Sequence, residues 1–222
     1  MKIILLGYRK WAKDAFLELK NKKIKKTIII DNKKKLNSIS IKNYDLLVTL
    51  GWSSNINKKI LRNIKTIGLH CAKLDRYSYG SPLQNQIIDG VEITKHRVFP
   101  FRENKNFGRI HVTTREYSHE ISLSLKGNIN DIFENLKNTS IKLINKFINQ
   151  YPNIKYKKWP TEKIIKKKRL PKDSLITIND LKKCSLKQLY NKIRCLEDPY
   201  PNAYLKDKSG TLFIKKIRYQ KK

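Results

Sequence analysis

Short apolar runs separated by polar, helix-compatible stretches dominate the first half of the chain. "KIILL" at residues 2–6, "TIII" at 27–30, "LLVTL" at 46–50 and "TIGLH" at 66–70 are four such runs. Each is near the length of a strand covered on both faces. Between them, residues 11–20 and the short "INKKILRNI" segment carry helical spacing. Buried strands alternating with helices predict an α/β fold: a Rossmann-like, mostly parallel sheet with helices on both faces. In the second half, "SPLQNQIID" reads as a helix stopped by Gly90, and "EITKHRVFPF" and "RIHVTTREY" as strands. Residues 130–150 place Ile132, Phe133, Leu136, Leu143, Ile144, Phe147 and Ile148 on one helical stripe, a core face.

Pro160 and Pro171 interrupt a lysine-rich stretch, which sets the expected division at residues 1–152 for the α/β domain and 153–222 for a small extension. That extension holds a helix in "CSLKQLYNKIRCL", capped near Ser185, and a β-hairpin turning at Ser209–Gly210. The hairpin offers an edge strand through which a homodimer is able to form.

Open α/β sheets bind ligands beyond the carboxyl ends of their strands. Gly7, Tyr8, Gly51, Trp52 and His70 fall at those ends. After the first strand, "GYRKWA" contains a single glycine, which argues against a dinucleotide fingerprint or a phosphate-cradling loop. Of four histidines, His70 alone stands at a strand end beside a Gly-Ser-Pro turn. His96, His111 and His119 lie in stretches that read as sheet, where a surface or satisfied histidine is the ordinary case. Cys71 follows His70 directly, and adjacent strand residues point to opposite faces, so the two do not form a nucleophile pair. No zinc-ligand spacing occurs, and no metal is expected.

Charge changes the picture less than its size suggests. The net charge is +32, with 40 lysines, 10 arginines and 20 asparagines. A basic surface attracts polyanions, but this skew is also what AT-rich codons produce, and arginine, which reads and stacks on bases, is scarce. Nucleic acid is therefore not the expected partner. The apolar runs are too short to span a membrane, and three cysteines without ligand spacing suit a reducing cytoplasm.

Longer strings carry a resemblance. "GYRKWA", "DLLVTLGWS", the loop "GLHCAKLDRYSYGSPLQNQIIDG", "LSLKGNINDIFENL", "KRLPKDSLI" and "LYNKIRCLEDPYPNAYL" occur in an order similar to that of the folate-dependent formyltransferases. The resemblance leans to the branch acting on amino sugars and covers nearly the whole chain. It implies the formyltransferase fold and 10-formyltetrahydrofolate as cosubstrate. It further implies a nucleotide-linked amino sugar as acceptor, of the kind used for surface polysaccharides, since only about twenty residues follow Ala203. Members carry an Asn–His–Asp triad. Here His70 matches the histidine, Gly68 stands for the asparagine and Asn106 for the aspartate. Asp75 and Ser78 replace a loop proline and arginine, and Glu103 or Asp75 offers a substitute carboxylate. The resemblance sets the donor against Gly51, Trp52, Gly80, Ser81, Pro82 and Gln84. In the family's chemistry an imidazolium and an amide stabilise the oxyanion. Two alternatives follow from these departures and from the charge: a relative that binds folate or nucleotide sugar without turnover, and a basic RNA- or tRNA-binding protein or methionyl-tRNA formyltransferase.

Overall fold

A computed structural model describes residues 1–72, 77, 80–101, 116–158, 166, 168 and 169–220. Strands and helices alternate as the apolar runs require: β1 (Lys2–Leu6), α1 (Lys10–Glu18), β2 (Lys26–Ile30), α2 (Lys33–Ser38), β3 (Leu46–Thr49), α3 (Lys58–Asn63) and β4 (Lys65–Cys71). Then come α4 (Pro82–Ile88), β5 (Ile93–Pro100), β6 (Glu116–Tyr117), β7 (His119–Ser124), α5 (Ile129–Gln150) and β8 (Lys157–Lys158). The chain closes with α6 (Ile178–Lys183), α7 (Leu186–Arg194), β9 (Ala203–Lys206) and β10 (Thr211–Ile214). Six strands form one sheet in the order β2-β1-β3-β4-β5-β7. The first four are mutually parallel, and β5 runs antiparallel to β4. The expected α/β, mostly parallel architecture is present.

The chain divides into two compact units, each drawn from three stretches. Residues 1–71, 95–123 and 134–160 make the first; residues 72–94, 124–133 and 161–222 make the second. Both draw on segments from either side of residue 152, so they differ from the division at 152 and 153 read from the sequence.

In the first unit the sheet is covered on both faces. Ile3, Leu5, Leu46, Val48 and Ile67 meet Ala12, Ala15 and Phe16 of α1 and Leu143, Ile144, Phe147 and Ile148 of α5. On the other face, Ile4, Leu6 and Leu47 pack with Leu36 of α2 and Ile60 of α3. Successive residues of β1 therefore go to opposite cores, which is why its whole run is apolar.

Four elements escaped the sequence reading: α2, β7, β8 and α6. Helix α2 is only six residues long, with Asn32 accepting from the Lys35 amide at 2.9 Å. Helix α6 opens on a reciprocal box, in which Thr177 Oγ1 accepts from the Asp180 amide at 3.0 Å and Asp180 Oδ2 accepts from the Thr177 amide at 2.7 Å. That T-x-x-D signature was legible. In the second unit the hairpin turns where expected. Asp207 Oδ1 accepts from the Ser209 and Gly210 amides at 2.7 and 3.1 Å. Among the described residues no helix is long and apolar enough to cross a membrane.

Phe147 is fully buried and among the largest such side chains. Phe147→Ala is expected to lower unfolding free energy by about 3–5 kcal/mol, read from urea melts with the slope unchanged.

Candidate functional site

Register brings three strand ends to one level. Leu6 pairs with Thr49, and Thr49 with Gly68, so the residues two further on, Tyr8, Gly51 and His70, continue beyond the same edge of the first unit. The Tyr8 and Trp52 rings meet edge-on at 5.7 Å between centroids, and Tyr8 Oη shares a 2.7 Å hydrogen bond with Ser53 Oγ. Gly51 has φ +60°, and a Cβ there would stand 3.1 Å from the Arg9 side chain.

His70 is the penultimate residue of β4, on the same face as Gly68. It is a half-buried residue whose Nδ1 is fully covered and has no hydrogen-bond partner among the described residues. Trp52 Nε1, at the end of β3, is a second covered and unpartnered polar atom. Leaving such groups unmet is costly, so a pair of them at neighbouring strand ends points to a polar ligand. Arg97 faces His70 across the β4–β5 ladder. Its guanidinium is held by Glu120, with Nε donating to Oε2 at 2.8 Å, and lies over the Tyr117 ring at 5.0 Å. Burial, and secondarily the Arg97 charge, push the His70 pKa down to about 4. The imidazole is therefore neutral at pH 7. A desolvated ring beside a guanidinium disfavours a second positive charge, which differs from the imidazolium that the resemblance implied.

Gly68 explains the missing asparagine. A Cβ on residue 68 would lie 2.4 Å from Phe99 Cζ and 2.6 Å from Phe101 Cε2. Phe99 is the ladder partner of Gly68 and buried, its ring 5.4 Å from that of Phe101 and 6.4 Å from the His70 ring. The volume an asparagine side chain would need is filled by aromatic carbon. Asn106, Glu103, Asp75 and Ser78 lie outside the described residues.

His96 and Cys71 occupy the opposite face. His96 is fully buried with its Nδ1 2.8 Å from Thr139 Oγ1. That hydroxyl also lies 2.8 Å from the Asn135 carbonyl, and His96 Nε2 is covered without a partner among the described residues. His96 is a core histidine, its pKa held down to about 3 by burial. His119 bonds Ser118 and Gln150, each at 3.0 Å, while His111 is outside the described residues. Burial raises the Cys71 thiol to about 12, so it stays protonated.

In the second unit, Gly80 (φ +56°) and Ser81 (φ +49°) form a left-handed pair before Pro82, the first residue of α4. A Cβ on Gly80 would meet the Lys168 backbone at 2.5 Å, so glycine is needed for both conformation and space. Ser81 Oγ accepts from the Arg169 amide at 3.2 Å. Gln84 is 8% exposed with no side-chain partner among the described residues. Sequence reasoning missed Tyr8 as a neighbour of Trp52, and Arg97, Phe99 and Phe101 as the surround of His70. The alternation in "HRVFPF" held part of that signal: it groups Arg97 with Phe99 on one face and His96 with Val98 on the other, and the β4–β5 register decides which face meets His70.

No protein-family model matches the chain, and no curated protein does. Solved structures are similar over nearly its whole length. A methionyl-tRNA formyltransferase from Clostridium thermocellum is 24% identical with a TM-score of 0.82, covering 99% of this chain and 94% of its own. A 4-N formyltransferase from Francisella tularensis is 15% identical with a TM-score of 0.75, covering 99% and 98%. HypX from Aquifex aeolicus, in complex with tetrahydrofolic acid, is 16% identical with a TM-score of 0.71, covering 93% of this chain and 36% of its own. The chain thus has the fold of the formyltransferases, as the resemblance implied.

Gly68→Ala is expected to destabilise by about 1–3 kcal/mol through overpacking against the two phenylalanine rings, measured by chemical denaturation.

The His70 Cε1 proton resonance is expected to hold its neutral position from pH 8 down to about 5; a midpoint near the ordinary 6.5 would show that water reaches the ring. The unfolded ring protonates near 6.5 and the folded one near 4. The unfolded state therefore binds more protons in between, and the stability due to the neutral ring, complete above 6.5, is lost as pH falls toward 4. His70→Gln is expected to flatten that part of a melting-temperature profile.

Proposed function

We propose that this chain transfers a formyl group from 10-formyltetrahydrofolate to the primary amine of a nucleotide-linked amino sugar, in the making of surface polysaccharide. The observation that carries the reading is the desolvated His70, with a covered Nδ1 that has no hydrogen-bond partner among the described residues, at the carboxyl edge of a sheet that has the formyltransferase fold. The residues present fit a folate donor: Trp52 Nε1 and His70 Nδ1 are covered polar atoms lacking partners among the described residues. Gly51, Trp52, Gly80, Ser81, Pro82 and Gln84 are the proposed donor contacts.

In the reaction the amine nitrogen bonds to the formyl carbon and the bond from that carbon to the folate nitrogen breaks. One proton leaves the amine and one is gained by the folate nitrogen. Negative charge builds on the formyl oxygen on the way. A neutral imidazole N–H is able to donate to that oxygen while the site stays dry, as in other enzymes that lower a histidine pKa for this purpose. Because Phe99 and Phe101 fill the space beside Gly68, no amide from that position adds a second donor. Asn106, proposed as the residue that orients His70, does not hold a proton as an aspartate does.

A second reading places the amine on an aminoacyl-tRNA. The Clostridium thermocellum likeness and the net charge of +32 favour it.

Purified protein given 10-formyltetrahydrofolate is expected to formylate a nucleotide-linked 4-amino sugar, and His70→Asn to lower the rate by about a hundredfold or more. Formylation of charged initiator tRNA and of no sugar would select the second reading. Folate or nucleotide-sugar binding by calorimetry without product would make the chain a binding relative and overturn the enzyme.

A further inference from the structure

A second polar site lies wholly within the second unit, among α4, α7 and the turn before α5. The cavity holds about 240 Å³ and is lined by Gly90, Glu92, Lys126, Gly127, Lys187, Tyr190, Asn191, Arg194 and Tyr219. Its floor is built from two side chains that are each 3% exposed, Asn191 and Arg194. Arg194 is held in place by its own bonds. Nε donates to Asn191 Oδ1 at 2.9 Å, and Nη1 donates to the Leu125 and Gly127 carbonyls at 2.7 and 2.8 Å. These leave Arg194 Nη2 and Asn191 Nδ2 as donors with no partner among the described residues. Gly90, which would bring a Cβ no nearer than 3.7 Å to Asn191 Nδ2, leaves that amide open.

Two lysines, Lys126 and Lys187, stand at the rim. Lys187 Nζ lies over the Tyr190 and Tyr219 rings at 5.8 and 5.3 Å, and Arg194 over Tyr190 at 5.4 Å. Among the described residues Glu92 is the single carboxylate in the lining, 3.2 Å from Lys126 Nζ and 3.9 Å from Lys187 Nζ. Three cations against one carboxylate in the lining leave an excess of positive charge, reduced by the buried Glu197 that also attracts Arg194, around two fixed N–H donors without a partner among the described residues. A guanidinium edge beside an amide and two ammonium groups is the donor set that suits the several oxygens of a dianionic phosphate.

We propose that this cavity is a binding site for a phosphate group, separate from the strand-end site at His70. Arg194 and Asn191 supply fixed donors, and Lys126 and Lys187 close from the rim as Glu92 gives way. The group belongs either to a small phosphorylated compound or to an RNA backbone. The proposal does not depend on formyl transfer.

The test is calorimetric titration of the whole chain with inorganic pyrophosphate, and in parallel with a short single-stranded RNA, at low salt. Lys126→Gln/Lys187→Gln is compared with Lys33→Gln/Lys34→Gln, a pair on exposed α2 of the other unit that changes net charge equally. Pyrophosphate affinity is expected to fall about tenfold or more in the pocket variant and to stay within about twofold in the control. In the wild-type protein the Asn191 side-chain amide resonances are expected to move on adding pyrophosphate. A loss confined to pyrophosphate assigns a small phosphorylated ligand, and a matching loss for RNA assigns a phosphodiester. Absence of pyrophosphate binding, equal losses in both variants, or an unmoved Asn191 amide would overturn the site, because general charge attraction would then account for all affinity.

Discussion

Exclusion of water from the carboxyl edge of β4 is the constraint on which the candidate site rests. The ring of Phe99 sits opposite Gly68 and beside His70, and Phe101 backs it. These aromatic groups take up the room above a glycine and strip solvent from the adjacent imidazole. The same packing therefore removes one polar residue from the site and changes the protonation of another. Desolvation is the larger cause of the depressed His70 pKa, with the Arg97 charge second. Arg97 in turn stays in place because Glu120 and Tyr117 hold it. A catalytic reading and a binding reading both begin from this neutral ring and its covered Nδ1. They differ over what meets its Nδ1.

The architecture was legible because the core is written in runs that a parallel sheet alone explains. In β1 every residue from Ile3 to Leu6 is buried, alternately against α1 with α5 and against α2 with α3. The level shared by Tyr8, Gly51 and His70 also followed from strand ends that the sequence marks clearly. The surround of His70 was less legible, since it depends on which face of β5 meets β4. "KHRVFPF" alternates polar and apolar residues on both faces, so its pattern alone does not say which one packs beside the histidine. Register decides it: His70 opposite Arg97 and Cys71 opposite His96 put the two histidines on opposite faces. His96 became core through Thr139, a partner 43 residues away that no local pattern announces.

Short elements were missed for a related reason. A six-residue helix such as α2 or α6 has no room for an amphipathic stripe, and its existence depends on end groups. Asn32 and the Thr177–Asp180 box supply those ends. Strand β7 shows mixed burial, since it lies at the edge of the sheet and only part of it faces a core.

The lysine excess and the two well-buried arginines tell different stories. Lysines such as Lys10, Lys35 and Lys126 are mostly exposed in their ion pairs, where solvent screens the charge and little stability is gained. Arg194 is 3% exposed and Arg97 has a side chain 15% exposed. Each has several partners that fix the plane of its guanidinium. A compositional bias toward lysine spreads charge over the surface without arranging it. Arginine at a buried position requires carbonyls, carboxylates or rings around it, because its donors are many and its charge is not shed. The organised electrostatics of this chain therefore lie at Arg97 and Arg194. One depresses the basicity of His70, and the other anchors the donors of a separate cavity. The net charge of +32 is a poor guide to either.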